Sequence, residues 1–143
     1  MKHPAARLRF WARCNGADVW TLGGWILARA AGAQLRPLGG VWLAAGGHLP
    51  WVLAHYPFGA VQAMAVGRVI LAGDAASLRC HLRHEWAHVR QFARFGLFFP
   101  LLYLLELLRQ LLRGKSPYFD NFFECEARRN ECRAPLRQPI QRP

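Results

Sequence analysis

Acidic side chains are scarce in this sequence. Eight Asp and Glu stand against nineteen Lys and Arg in 143 residues, a formal net charge of +11. Lysine is scarcer still, with two residues against seventeen Arg. A balance of that sign fits an anionic partner, nucleic acid or a lipid surface, or else Arg spread over a solvated face. Nucleic acid is the poorer match, because the Arg residues never form a run of five and no nucleic-acid-binding motif accompanies them. No C-x-x-C occurs among Cys14, Cys80, Cys125 and Cys132, which argues against a thiolate zinc knuckle and a dithiol redox motif. Four cysteines at these spacings do not make a disulfide scaffold, so reduced thiols are expected. An uninterrupted apolar span of about twenty residues, the length needed to cross a bilayer, is also missing. Leu97–Leu112 comes nearest but contains Pro100, Glu106 and Arg109, and reads as a helix buried or apposed to a membrane. Val19–Ala33 ends in a small-residue triplet like a signal cleavage site. Against export, about eighteen residues with several Arg precede it and Arg29 interrupts it. A cytoplasmic or membrane-associated location is expected, with export the weaker alternative.

What is present is apolar: 53% of residues, enough for one domain with a core. We expect a basic and apolar arm over residues 1–38, a domain over 39–133 and a flexible Pro-rich tail over 134–143. Val19–Ala31 could be helix or strand, and Gly32–Pro37 reads as a break. From Gly39 to Gly73, short β-forming runs alternate with glycines. Val41–Leu43, Trp51–Ala54, Val61–Val66 and Val69–Leu71 are the runs, and they predict a small antiparallel sheet. Asp74 or Ser77 can cap a helix that runs to Phe95 and stops at Gly96. A second helix follows over Leu97–Leu112, and a third starts after Asn121. The expected fold class is therefore α+β, the sheet packing on one helix that two more follow.

That first helix carries His84-Glu85-Trp86-Ala87-His88, a H-E-x-x-H motif. Residues four apart lie on one helix face, so both imidazoles can point at one ion. Glu85 is one step round and can reach a water on that ion without ligating it. Two His ligands with a Glu general base is the arrangement of zinc metalloproteases. Composition alone would place this motif in roughly one shuffled chain in a hundred, so it needs support elsewhere. His81 lies on the same stripe, where a place outside the ligand set or facing solvent is expected. Cys80 sits one turn before His84 and is expected to be packing.

Hydrolysis at such a centre needs a third protein ligand. Glu106, Glu124, Glu126 and Glu131 lie downstream. Glu106 is expected to pair with Arg109 or Arg113. Glu124 and Glu126 are about 200° apart on a helix, so they cannot both face the ion. Glu124 has a competing role, since with Asn121 as N-cap it stands where a capping-box Glu would.

The stretch Glu124-Cys125-Glu126-Ala127 resembles the Glu-x-x-Ala pattern of gluzincin metallopeptidases, which follows H-E-x-x-H on a separate helix. The wider run over residues 59–130 resembles small bacterial zincin-like proteins. The resemblance implies Glu124 as third zinc ligand, with Glu126 in reserve, and a small Ala127 for close helix packing. Many gluzincins have Asp after that Ala to orient a ligand His. Here it is Arg128, so an acceptor must come from elsewhere, such as Glu126, Asp120 or a backbone carbonyl.

The expected function is zinc-dependent peptide hydrolysis with Glu85 as base, and Tyr118 or His81 as an added transition-state donor. The Gly67–Ala72 strand is expected to border the cleft and pair with an extended peptide. The alternatives are a zinc-binding module of the same fold without catalysis, and a basic surface binder whose motif is accidental. Expected partners are a peptide or protein substrate and an anionic membrane surface. Oligomeric state is not legible in the sequence.

Overall fold

In a computed structural model, residues 15–131 are described. The arm up to Cys14, the tail from Ala134 and Cys132 lie outside them. The organising strand is β4 (Val69–Ala72), whose four residues are all buried. A strand buried on both faces needs cover on both sides and reads as a continuous apolar run rather than an alternating one. Its neighbours are β2 (Val41–Ala45), which it pairs in parallel, and β3 (Ala63–Val66), which it pairs antiparallel. β1 (Gln34–Leu38) pairs antiparallel with β2 and completes the order β1-β2-β4-β3.

One face of this sheet is covered by α1 (Ala17–Ala30) and the six-residue α2 (Leu49–Ala54). Ala28, Leu49, Val69 and Leu71 pack together there. The other face is covered by α3 (Ala75–Phe95), where Val41, Ile70 and Val89 meet Leu82 and Trp86. α1 crosses the β3–β4 hairpin at Gly24, where an added Cβ would stand 2.9 Å from the Val66 carbonyl oxygen. The hairpin turn is clamped to α1 by Arg68, which pairs with Asp18 at 2.6 Å and donates its amide to Thr21 Oγ1.

α3 starts where sequence chemistry places it. The Asp74 carboxylate accepts the Ser77 amide at 2.7 Å, satisfying one of the unpaired N–H groups of a first turn. It ends at Gly96, whose φ of 63° only glycine adopts readily. A 3-10 turn over Gly96–Phe98 leads into α4 (Phe99–Leu112), and α5 (Phe122–Glu131) packs on α3. Asn121 Oδ1 accepts the Phe123 amide and caps α5. Phe92, Phe99 and Phe123 join α3, α4 and α5 in a third apolar cluster.

The α+β class holds, with four longer helices and one short one among the described residues, but the sheet is mixed rather than antiparallel. Trp51–Ala54 is helical, with Pro50 in its first turn; a four-residue apolar run has no period of its own. Gly32–Pro37, read as a break, is mostly β1. This exposed edge strand tolerates Pro37 and shows no alternation. The expected boundary after residue 38 falls inside the β1–β2 hairpin, where Leu38 faces Val41. Together with α1, this makes residues 17–38 part of the sheet domain. By length and composition, the helical stretch Ala75–Leu112 is apolar enough to cross a membrane.

Candidate metal centre

α3 presents His84 and His88 one turn apart, and α5 brings Glu124 between them. The His84 and His88 Nε2 atoms are 3.1 Å apart. Glu124 Oε2 is 3.1 Å from His84 Nε2, and Glu124 Oε1 is 3.3 Å from His88 Nε2. All three residues are buried, and together they form a group that could hold a metal ion. Glu124 is not a capping-box residue: the Asn121 amide goes to the Tyr118 carbonyl, and the carboxylate turns to the histidines instead.

The outer nitrogens of both rings are spoken for. Gln91 Nε2 donates to the Phe123 carbonyl at 3.0 Å and to Glu126 Oε2 at 2.8 Å. Those two acceptors orient the amide, so its Oε1, 2.8 Å from His88 Nδ1, accepts a hydrogen bond donated by that nitrogen. His84 Nδ1 lies 3.1 Å from Glu131 Oε1, again an acceptor. With Nδ1 protonated in both rings, the two Nε2 lone pairs face each other and a carboxylate. Glu124 Oε2 is buried yet accepts no hydrogen bond. Such a convergence of electron pairs calls for a cation. Burial disfavours a charged His88, but the Glu124 and Glu85 carboxylates outweigh it, and the pKa of His88 rises. Burial works against Glu124 as an anion, but the two facing imidazoles and the Tyr103 hydroxyl outweigh it and hold its pKa well below the usual carboxylate range.

Glu85 points into the same space and is not in the ligand group. Burial raises its pKa, opposed by His88 and His84. A raised carboxyl pKa suits a group that takes and returns a proton. A cleft of about 380 Å³ opens over these residues. Ala63 and Ala65 of β3 form one wall, and Pro100, Tyr103, Leu104 and Leu107 of α4 form the other. The strand expected to border the cleft, Gly67–Ala72, is β4, an interior strand. The position belongs to β3, which pairs only β4 within the sheet.

Of the other expected residues, Tyr118 lines the cleft, and burial and Glu124 push its pKa up to about 12. His81 does not line it; its Nε2 lies 3.0 Å from Gln62 Oε1. Glu126 reaches the centre only through Gln91. Glu106 pairs with Arg109 at 2.9 Å, as expected. Cys80 is exposed rather than packed. The acceptor that Arg128 lacks is supplied by Glu131 for His84 and by Gln91 for His88, not by Asp120. Gln91 and Tyr103, whose hydroxyl donates to Glu124 Oε1 at 2.7 Å, were missed by motif reading, and Glu131 entered it only as a candidate ligand. Two had a signal: Gln91 is three residues past His88, and Glu131 is seven past Glu124, two turns along one face. Tyr103 sits in a leucine-rich helix with nothing to mark it. Comparison with protein-family models, with curated proteins and with solved structures found no match for this chain.

Proposed function

We propose that this chain is a zinc-dependent peptidase in which His84, His88 and Glu124 hold the metal and Glu85 is the general base. The observation that carries the reading is the convergence of the two Nε2 atoms, 3.1 Å apart, on the Glu124 carboxylate, whose Oε2 is 3.1 Å from His84 and whose Oε1 is 3.3 Å from His88, so that one ligand atom from each residue lies within 4.8 Å of the others. Bonds of about 2.0–2.1 Å at a tetrahedral angle put neighbouring ligand atoms about 3.3 Å apart. Two imidazoles and a carboxylate are also a donor set that suits zinc. The gluzincin-like spacing agrees with this assignment.

Bound there, zinc supplies Lewis acidity, making water acidic near neutral pH and polarising a carbonyl. The chain's own groups do the rest. Glu85, whose carboxylate burial makes more basic, takes the proton of the attacking water and delivers it to the leaving amine. β3, whose outer edge is unpaired by any strand among the described residues, offers that edge to an extended peptide, so main-chain hydrogen bonds set the register. Tyr118, which lines the cleft, is the donor we assign to the developing oxyanion. Tyr103 is committed to Glu124 and positions that ligand.

Metal content by elemental analysis, paired with a peptide-cleavage assay, tests the reading. The wild type should carry about one zinc per chain, lost in His88→Ala and Glu124→Ala. Glu85→Gln should keep the metal and lose cleavage by about a hundredfold or more. Metal retained in Glu124→Ala would remove the third ligand. Full metal with no cleavage of any peptide by the wild type would leave a zinc-binding module.

A further inference from the structure

α4 has two unlike sides. Phe99 and Gln110 are buried, and Tyr103 and Glu106 bond to α5 residues. Opposite them, Leu101, Leu104, Leu105, Leu108, Leu111 and Leu112 are exposed, Leu112 by 80%. These positions follow helical spacing and form one stripe along the helix. Leu97 and Phe98 of the preceding turn extend it. α1 joins at that turn, where Trp20 Nε1 donates to the Leu97 carbonyl, and Val19, Leu22 and Ile26 are exposed on it. An apolar surface of this extent marks a place where something else sits.

The charge pattern says what. Arg94 before the stripe, Arg113 and Lys115 after it and Arg29 at the end of α1 are exposed, with no ion-pair partner among the described residues. The only carboxylate on α4, Glu106, is held by Arg109. Residues 1–14 contribute four cations and residues 132–143 three, and neither segment has an acidic residue. A second copy would bring +11 against +11. An anionic lipid surface takes both the leucines and the arginines. At 14 residues, α4 is about 21 Å long. That is short of the roughly 30 Å hydrocarbon core, and the rest of the helical stretch back to Ala75 is α3, which packs on the sheet and buries His84, Glu85 and His88, so α4 lies in the interface rather than across it.

We infer that the leucine stripe of α4 seats this protein on the surface of an anionic bilayer. Leu104 belongs to both the stripe and the cleft wall, and Pro100 and Leu107 line the cleft from the same helix. The cleft thus opens beside the seated surface. Resting on the peptidase reading, the substrate class is an apolar peptide segment exposed at that surface.

Flotation with vesicles tests the docking without reference to catalysis. The probes are phosphatidylcholine vesicles with and without phosphatidylglycerol. Wild type should float with the anionic vesicles, and less so as salt screens the arginines. Leu105→Glu/Leu108→Glu/Leu112→Glu changes only exposed residues outside the cleft. It should reduce vesicle binding by about tenfold or more while its circular dichroism and metal content match wild type. Wild type that stays in the aqueous phase with every vesicle, or a triple variant that binds equally well, overturns the proposal. A wild-type dimer that the triple variant converts to monomer, without vesicle binding, overturns it and gives the stripe to a second copy. In a second arm, an apolar peptide is presented either on the vesicle or free. Wild type should prefer the vesicle-borne form, and the triple variant should lose only that preference. Cleavage of neither form, with vesicle binding intact, would sink the peptidase reading and leave the docking standing.

Discussion

Glu131 is the carboxylate at the outer nitrogen of His84. Its carboxylate holds Nδ1 and so aims Nε2 at the centre. Gln91 does the same for His88 while anchored to Glu126 and the Phe123 carbonyl. Ring orientation of this kind sets metal affinity by fixing the tautomer and removing rotational freedom. Glu131→Ala and Gln91→Leu should each weaken zinc binding about 10–100-fold in a competition titration with a chromophoric chelator. Glu106→Gln, which alters the Arg109 pair instead, should leave it unchanged. Equal affinity in all three variants would mean the rings are held by packing alone. Motif spacing exposed His84, Glu85 and His88 because a helix turns four residues into one face. It could not expose Tyr103, whose role depends on which helix lies alongside.

The contact between α1 and the β3–β4 hairpin depends on glycine. Gly23 and Gly24 are neighbours in one helix, where Ala is normally better than Gly by about 0.5–1 kcal/mol. An added Cβ at Gly23 meets nothing within 4 Å, so Gly23→Ala should stabilise by about that amount. At Gly24 it would press on Val66 and Val69, at 3.0 Å from both Cβ atoms. Gly24→Ala should instead destabilise by about 1–3 kcal/mol, since backbone and β-carbons cannot swing aside. Urea denaturation of the two variants checks the opposite signs; a gain at both positions would mean that α1 rides free of the sheet. The sequence showed α3 from cap to stop because Asp74 and Gly96 act locally. It did not show that Trp51–Ala54 is helix, that residues 34–38 form a strand, or that β2 and β4 run parallel. Those follow from partners distant in sequence.

For the molecule as a whole, the centre is also a clasp. α5 is held to α3 by apolar contacts at Phe123 and by the Glu124 side chain between the two histidines. An ion bound only by the folded state adds RT ln(1 + [L]/Kd), about 4 kcal/mol at a thousandfold excess over Kd. Chelation should therefore lower Tm by several degrees, and the amides of α5 should lose protection from hydrogen exchange before those of β4. A Tm and an α5 protection pattern unchanged by chelator would show that the cluster holds no ion. The same clasp forms the floor of the cleft, so loss of the ion should loosen the site and its cover together.

Several features were decided by the sequence alone. The helical span of α3 and the pairing of His84 with His88 follow from local chemistry and a period of 3.6 residues. So does the excess of arginine over acid, which no fold can alter. Tertiary structure decided that Glu124 stands between the two histidines while Glu131 takes the outer nitrogen of His84. Only it made β3 rather than β4 the open edge of the cleft, and left the leucines of α4 uncovered. Each of these depends on how separate elements pack, and packing is a property of surfaces that come together only when the chain has folded.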